Sequence, residues 1–165
     1  MSDKPEKPPQ FASPACQAQD ADPAYMGCFS EEELLAFLNE LLEAEMAGAR
    51  VTLASAREAR TGTIAGLMQA VHHDEAHWCA MLIRHIKKHG GTPSDKVGAF
   101  FEKAMAIPNL NERVSFLNRG QGWVVRKLRE AIPRVTEDDL RSDFIDMLRS
   151  HEDNITRAND AIQPG

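Results

Sequence analysis

The sequence contains no apolar run of the ~18–20 residues that a helix needs to cross a bilayer, so no membrane span is expected. The opening residues, MSDKPEKPPQ, lack the apolar stretch of a secretory signal. Cysteine is scarce. Cys16, Cys28 and Cys79 are odd in number and follow no framework spacing, and nothing around Cys16 or Cys28 suggests a metal-ligand set. Free thiols and a reducing cytoplasm are the expectation. Apolar–polar alternation with period 2 is missing, so no sheet is expected. Basic charge is not in excess: 19 Lys and Arg stand against 25 Asp and Glu, and the formal net charge is -6. Nucleic acid and anionic membranes are therefore poor partners. No nucleophile–base pair stands out, which leaves covalent hydrolysis without support.

What the sequence does have is helical periodicity. Residues 1–29, rich in Pro, Ala, Gln and Asp, read as a disordered tail. A helical domain follows over residues 30–160. SEEE at Ser30 is a capping box, and an apolar stripe from Leu34 runs to about Arg60. Thr61-Gly62 breaks it. A second helix is predicted from Thr63 to His89, ended by Gly90-Gly91 with Pro93 beyond. Ser94 is the expected cap of a short helix, SDKVGAFFEKAMA. A third long helix is predicted over Leu110–Ile132, and Thr136 opens a fourth with acids in its first turn. The plan is all-α: two antiparallel helical hairpins joined by a long crossover that carries a short helix, closing as a four-helix bundle.

The stretch HHDEAHWC, His72–Cys79, contains D-x-x-H and H-x-x-x-H spacings and comes close to the zinc-protease H-E-x-x-H. Helical geometry decides which of its residues matter. At 100° per residue, Glu75 falls inside the stripe of Val71, Trp78 and Leu82, whereas His73 and His77 fall on the opposite face. The carboxylate needed after the first His is Asp74, not Glu. A peptidase reading of HDEAH is therefore set aside.

The same projection finds one polar residue in each of the other stripes: Glu45, Gln121 and His151. All four lie ~20–25 Å from their hairpin turns, close enough in depth to share one layer. Buried carboxylates need compensation. Two readings satisfy that need. One is a single Fe, Mn or Zn ion held by Glu45, Glu75 and His151, with Gln121 as a weak ligand or hydrogen-bond partner and His72, one turn before Glu75, as a second nitrogen. The other is a metal-free polar layer in a helical scaffold or interaction protein. On the outer face of the third helix, Arg119 and Arg126 stand with Phe116 and Trp123. They are a candidate surface for a protein partner or a second copy of the chain, unless the crossover helix covers the aromatics. Cys79 reads as a small buried apolar side chain.

The mid-helix Glu45, Glu75 and His151, the helix ending GGTP (Gly90–Pro93) and the run FLNRGQGWVVRKLREAIPR resemble the ferritin-like superfamily, and within it a bacterial ferritin-like family of unknown function. The resemblance covers about residues 30–160. It implies a ferritin-like four-helix bundle with a metal centre. Di-iron members carry a Glu on helices 1 and 3 and E-x-x-H on helices 2 and 4. Here Glu45, Glu75 and His151 stand at matching positions, while Trp78, Gln121 and Leu148 stand at the others. The resemblance thus implies one ion or none, in place of a pair.

Overall fold

The computed structural model describes residues 27–163, and every regular element among them is helical. α1 (Glu31–Ala59) and α2 (Thr63–Lys88) form the first hairpin; α4 (Leu110–Ala131) and α5 (Asp138–Ile162) form the second; α3 (Phe100–Met105) lies on the connection between them. Local chemistry sets most of the ends. The Ser30 hydroxyl accepts from the Glu33 N–H at 3.1 Å, and the Glu33 carboxylate accepts from the Ser30 N–H at 2.9 Å, completing the predicted capping box. The chain then turns within three residues through Arg60 and Gly62, at φ 63° and 92°. α2 stops where Gly90 takes φ 73° and the Gly91 N–H reaches back to the Ile86 carbonyl at 2.9 Å. Asn109 caps α4 by accepting from the Glu112 N–H at 3.0 Å.

Four expectations are corrected. The short helix begins at Phe100, not Ser94. Ser94 serves another purpose: its N–H donates to Asn39 at 2.7 Å and its hydroxyl to Glu43 at 2.6 Å, which ties the crossover to α1. α5 starts at Asp138, after a single 3-10 turn at Ile132–Arg134 that contains Pro133, and Thr136 stands outside it. The expected tail, residues 1–29, falls outside the described residues except for its last three, of which Cys28 and Phe29 are packed. Phe29 lies beneath the Arg134 guanidinium at 4.0 Å and against Phe37 at 5.3 Å. Cys28 is buried and disulfide-bonded, so the free thiol expected there is wrong, and the ground for a reducing compartment goes with it. No helix among the described residues is long and apolar enough to cross a membrane.

Cross-helix contacts fix the directions of the helices. On the first hairpin Glu31 meets His89 at 2.7 Å, and the Ala49 carbonyl meets His72 at 2.8 Å. α2 faces α5 through His85–Asp143 at 2.7 Å and Asp74–Asn154 at 3.0 Å. α1 faces α4 through Glu40–Lys127 at 3.1 Å and Glu58–Arg113 at 2.6 Å. Numbering rises on one partner as it falls on the other in every pair, so neighbouring helices are antiparallel. α2 and α4 then point the same way, and the chain between them must travel the length of the molecule. α3 and its flanking residues make that journey, packed on α1 and α4.

The interior divides into two apolar clusters. One gathers Leu38, Leu41, Leu42, Leu82, Ile86, Leu128, Phe144 and Met147; the other gathers Val51, Leu67, Met68, Val71, Val114, Leu117 and Ala158. On each long helix a buried polar residue stands between the part that feeds the first cluster and the part that feeds the second: Glu45, Glu75, Gln121 and, on α5, His151 with Asn154 one turn on.

Candidate metal centre

Four of those residues, Glu45, Glu75, Gln121 and His151, are respectively 1%, 2%, 5% and 1% exposed. Each sits on a continuous helix, so its depth is set by the apolar residues one turn either side. Gly48 makes the layer sterically feasible: a Cβ added there would lie 2.7 Å from the Glu75 carboxyl atoms. A glycine inside a helix costs about 1 kcal/mol relative to alanine, and close approach of the Glu75 side chain is its physical reason here.

The side chains meet in two pairs. Nδ1 of His151 donates to the Met147 carbonyl at 2.9 Å, which leaves Nε2 facing Glu45 Oε1 at 3.1 Å. A backbone carbonyl thus fixes the tautomer that presents a bare Nε2 to the centre, as in metal-binding histidines. The Gln121 amide N–H donates to Glu75 Oε1. One ligand atom each from Glu45, Glu75 and His151 lie within 4.8 Å of one another, a set able to hold a metal ion.

Electrostatics leave this set under-compensated. Burial pushes the Glu45 carboxyl up to about 7, a hydrogen bond with Glu75 opposing it. Glu75 is held well above the ordinary carboxylate range by burial first, then by the charge and hydrogen bond of Glu45. Glu45 Oε2 has no N–H or hydroxyl donor. A proton shared with Glu75, or a cation, is what remains to satisfy it. No Lys or Arg belongs to the layer. Two oxygens and one nitrogen in a dry interior fit a divalent transition metal by donor type.

Several expected participants lie elsewhere. His72 is not brought into the clustered set of Glu45, Glu75 and His151; its Nδ1 sits 2.8 Å from the Ala49 carbonyl. His73 and His77 are exposed, as the helical projection predicted. Asp74 accepts from Asn154 at 3.0 Å, a helix-to-helix bond. Cys79 is half-buried and free, its thiol pushed up to about 12 by burial and by the nearby Glu45 and Glu75, so it is unreactive. On the outer face of α4 the Arg119 guanidinium lies over the Phe116 ring at 5.3 Å. Phe116 stacks on Phe100 at 5.0 Å, and Trp123 lines a cavity, leaving Arg119 and Arg126 exposed.

Sequence reasoning missed two buried groups. His85, 2% exposed, pairs with Asp143. Arg113, 3% exposed, reaches Glu58 and the Ile107 carbonyl, anchoring the end of the crossover to α1 and α4. It also missed that Glu43, Phe100 and Gly120 line the cavity beside the centre. Gly120, another helical glycine, was the available clue.

No curated protein and no solved structure matches the chain. A family model described as Domain of unknown function (DUF6306) matches residues 32–161, which takes in all four long helices and every residue of the centre, and the chain belongs to that family.

Proposed function

We propose that the chain is a ferritin-like four-helix bundle whose mid-bundle centre binds one divalent transition-metal ion, Fe, Mn or Zn, through Glu45, Glu75 and His151. One observation carries this reading: two carboxyls and an imidazole, all buried, converge within 4.8 Å with no cationic side chain beside them. An ion would displace the shared proton and satisfy Glu45 Oε2. Gln121 would orient Glu75 through its N–H. His151 would present Nε2 while Met147 holds Nδ1. Three protein ligands leave coordination positions for water or a small molecule, which suits metal handling or single-metal redox chemistry.

The test is metal analysis of protein purified without added metal. Near-stoichiometric transition metal is expected, lost in Glu45→Ala and in Glu75→Ala and retained in His77→Ala. Retention in Glu75→Ala with loss in His77→Ala would overturn the assignment. A second reading, a metal-free layer that fixes helix register, is favoured by the existing Gln121–Glu75 and His151–Glu45 contacts. It prevails if the protein is metal-free and its melting ignores Fe²⁺, Mn²⁺ and Zn²⁺.

A further inference from the structure

A cavity of about 330 Å³ opens between α1, α4 and the crossover, alongside the polar layer. That places it at the small end of ligand pockets, which run from about 300 to 1,000 Å³. Its walls are mostly apolar, with Phe100, Leu117, Trp123 and Val124 among them. The crossover wall is held in place from both sides. Gly120 lets the Phe100 ring lie on α4, since a Cβ there would fall 2.9 Å from that ring. Phe100 also stacks on Phe116 at 5.0 Å. On the other side, Ser94 fastens the crossover to Asn39 and Glu43 at 2.7 and 2.6 Å.

Apart from the Trp123 indole N–H and the Gln121 N–H committed to Glu75, the side-chain polar groups of the cavity are acceptors or acids. Gln121 is 5% exposed; its N–H is taken by Glu75, and its Oε1 has no partner. A buried carbonyl oxygen without a donor carries a desolvation cost that a ligand donor would relieve. The ionisable residues lining the space are Glu43, Glu45 and Glu75, with no Lys, Arg or His among them. The Glu43 carboxylate would repel an anionic ligand. A cationic donor would be attracted by the Glu43 carboxylate, and the Phe100 ring adds cation–π attraction, the Trp123 ring already carrying the Lys127 ammonium at 5.2 Å.

We propose that this cavity binds a small organic amine, its apolar body against Phe100, Leu117 and Trp123 and its ammonium donating to Gln121 Oε1 and the Glu43 carboxylate. The site goes beyond the metal reading and does not depend on it, because Gln121 and Glu43 lie outside the three-ligand set. The experiment is therefore run on full-length, EDTA-treated protein. Calorimetric titrations compare phenethylamine with two isosteres, neutral 2-phenylethanol and anionic phenylacetate. The amine should bind about tenfold or more tightly than the alcohol, and phenylacetate should bind weakest. Gln121→Leu should weaken the amine about tenfold. Glu43→Gln, which keeps an oxygen to accept from the Ser94 hydroxyl, should weaken it severalfold and bring its affinity towards that of the alcohol. Equal affinities for amine and carboxylate would overturn the proposal, as would unchanged amine binding in both folded variants. So would the absence of any heat with phenethylamine, the result for a cavity that holds only water.

Discussion

At position 48 the absence of a side chain lets a carboxyl occupy the space between two helices. Alanine there would raise the helix propensity of α1 by about 1 kcal/mol. It would also place a methyl carbon 2.7 Å from Glu75. Overpacking of this kind costs about 1–3 kcal/mol, so the steric effect outweighs the propensity gain. Gly48→Ala is expected to lower the urea midpoint and to reduce bound metal together; a more stable variant with full metal content would refute the packing argument. The residues of the centre were legible because burial follows angle. A side chain inside a 3.6-period stripe is buried whatever its chemistry, and that rule located Glu45, Glu75, Gln121 and His151. It gives no partner, however. His72 lies at the stripe's edge, where the choice between the centre and the Ala49 carbonyl depends on the rotation of α1 against α2. Arg113 and His85 were missed because their partners, Glu58 and Asp143, are more than 50 residues away.

Among the elements, the ends fixed by neighbours in sequence were readable, and those fixed by distant residues were not. Ser30 caps α1 with bonds to a residue three positions on, which the pattern SEEE declares. Ser30→Ala should cost about 1 kcal/mol, seen as a lower urea midpoint without change in slope, and an unchanged midpoint would deny the cap its role. Ser94 has the same type of side chain and stands before a similar apolar run, yet its bonds go to Asn39 and Glu43 on another helix. The Ser94 hydroxyl also accepts from the Lys96 N–H at 3.2 Å, a local turn, and with the residue tied to α1 the segment 94–98 stays non-helical and α3 forms only from Phe100. Ser94→Ala should leave α1 and α2 intact while loosening the crossover, read as faster hydrogen exchange at residues 97–100. Equal protection in variant and parent would show that Phe100 alone seats this segment. The tail boundary failed in sequence for a related reason. Cys28 and Phe29 follow no periodicity; Cys28 is disulfide-bonded, and Arg134 meets Phe29 with its carbonyl and guanidinium from the turn of the second hairpin.

For the molecule as a whole, the polar layer couples the two hairpins. Glu45 and Glu75 belong to the first and His151 to the second, so an ion bound by all three can persist only while the hairpins stay docked. Binding to the folded state alone adds about 2.7 kcal/mol when free metal is a hundredfold above its Kd. For a chain of this length that is roughly a 5–10 °C rise in melting temperature. Protons compete for the same oxygens. In metal-stripped protein the Glu45 carboxyl is raised from 4.5 to about 7, and Glu75 is raised as well, both chiefly by burial. A carboxyl raised on folding favours the folded state below its unfolded value, and that contribution is lost as pH climbs through the folded one. Between pH 5 and 8 the stripped protein should therefore melt at progressively lower temperature. Metal-loaded protein should show the opposite trend in its margin over the stripped form, because ligand oxygens are freed as protons leave. The gap between the two melting curves should widen with pH. Glu45→Gln, which no longer titrates at 45, should flatten the decline of the stripped protein and shrink the gap. Parallel curves with a constant gap would place the ion somewhere other than these carboxyls.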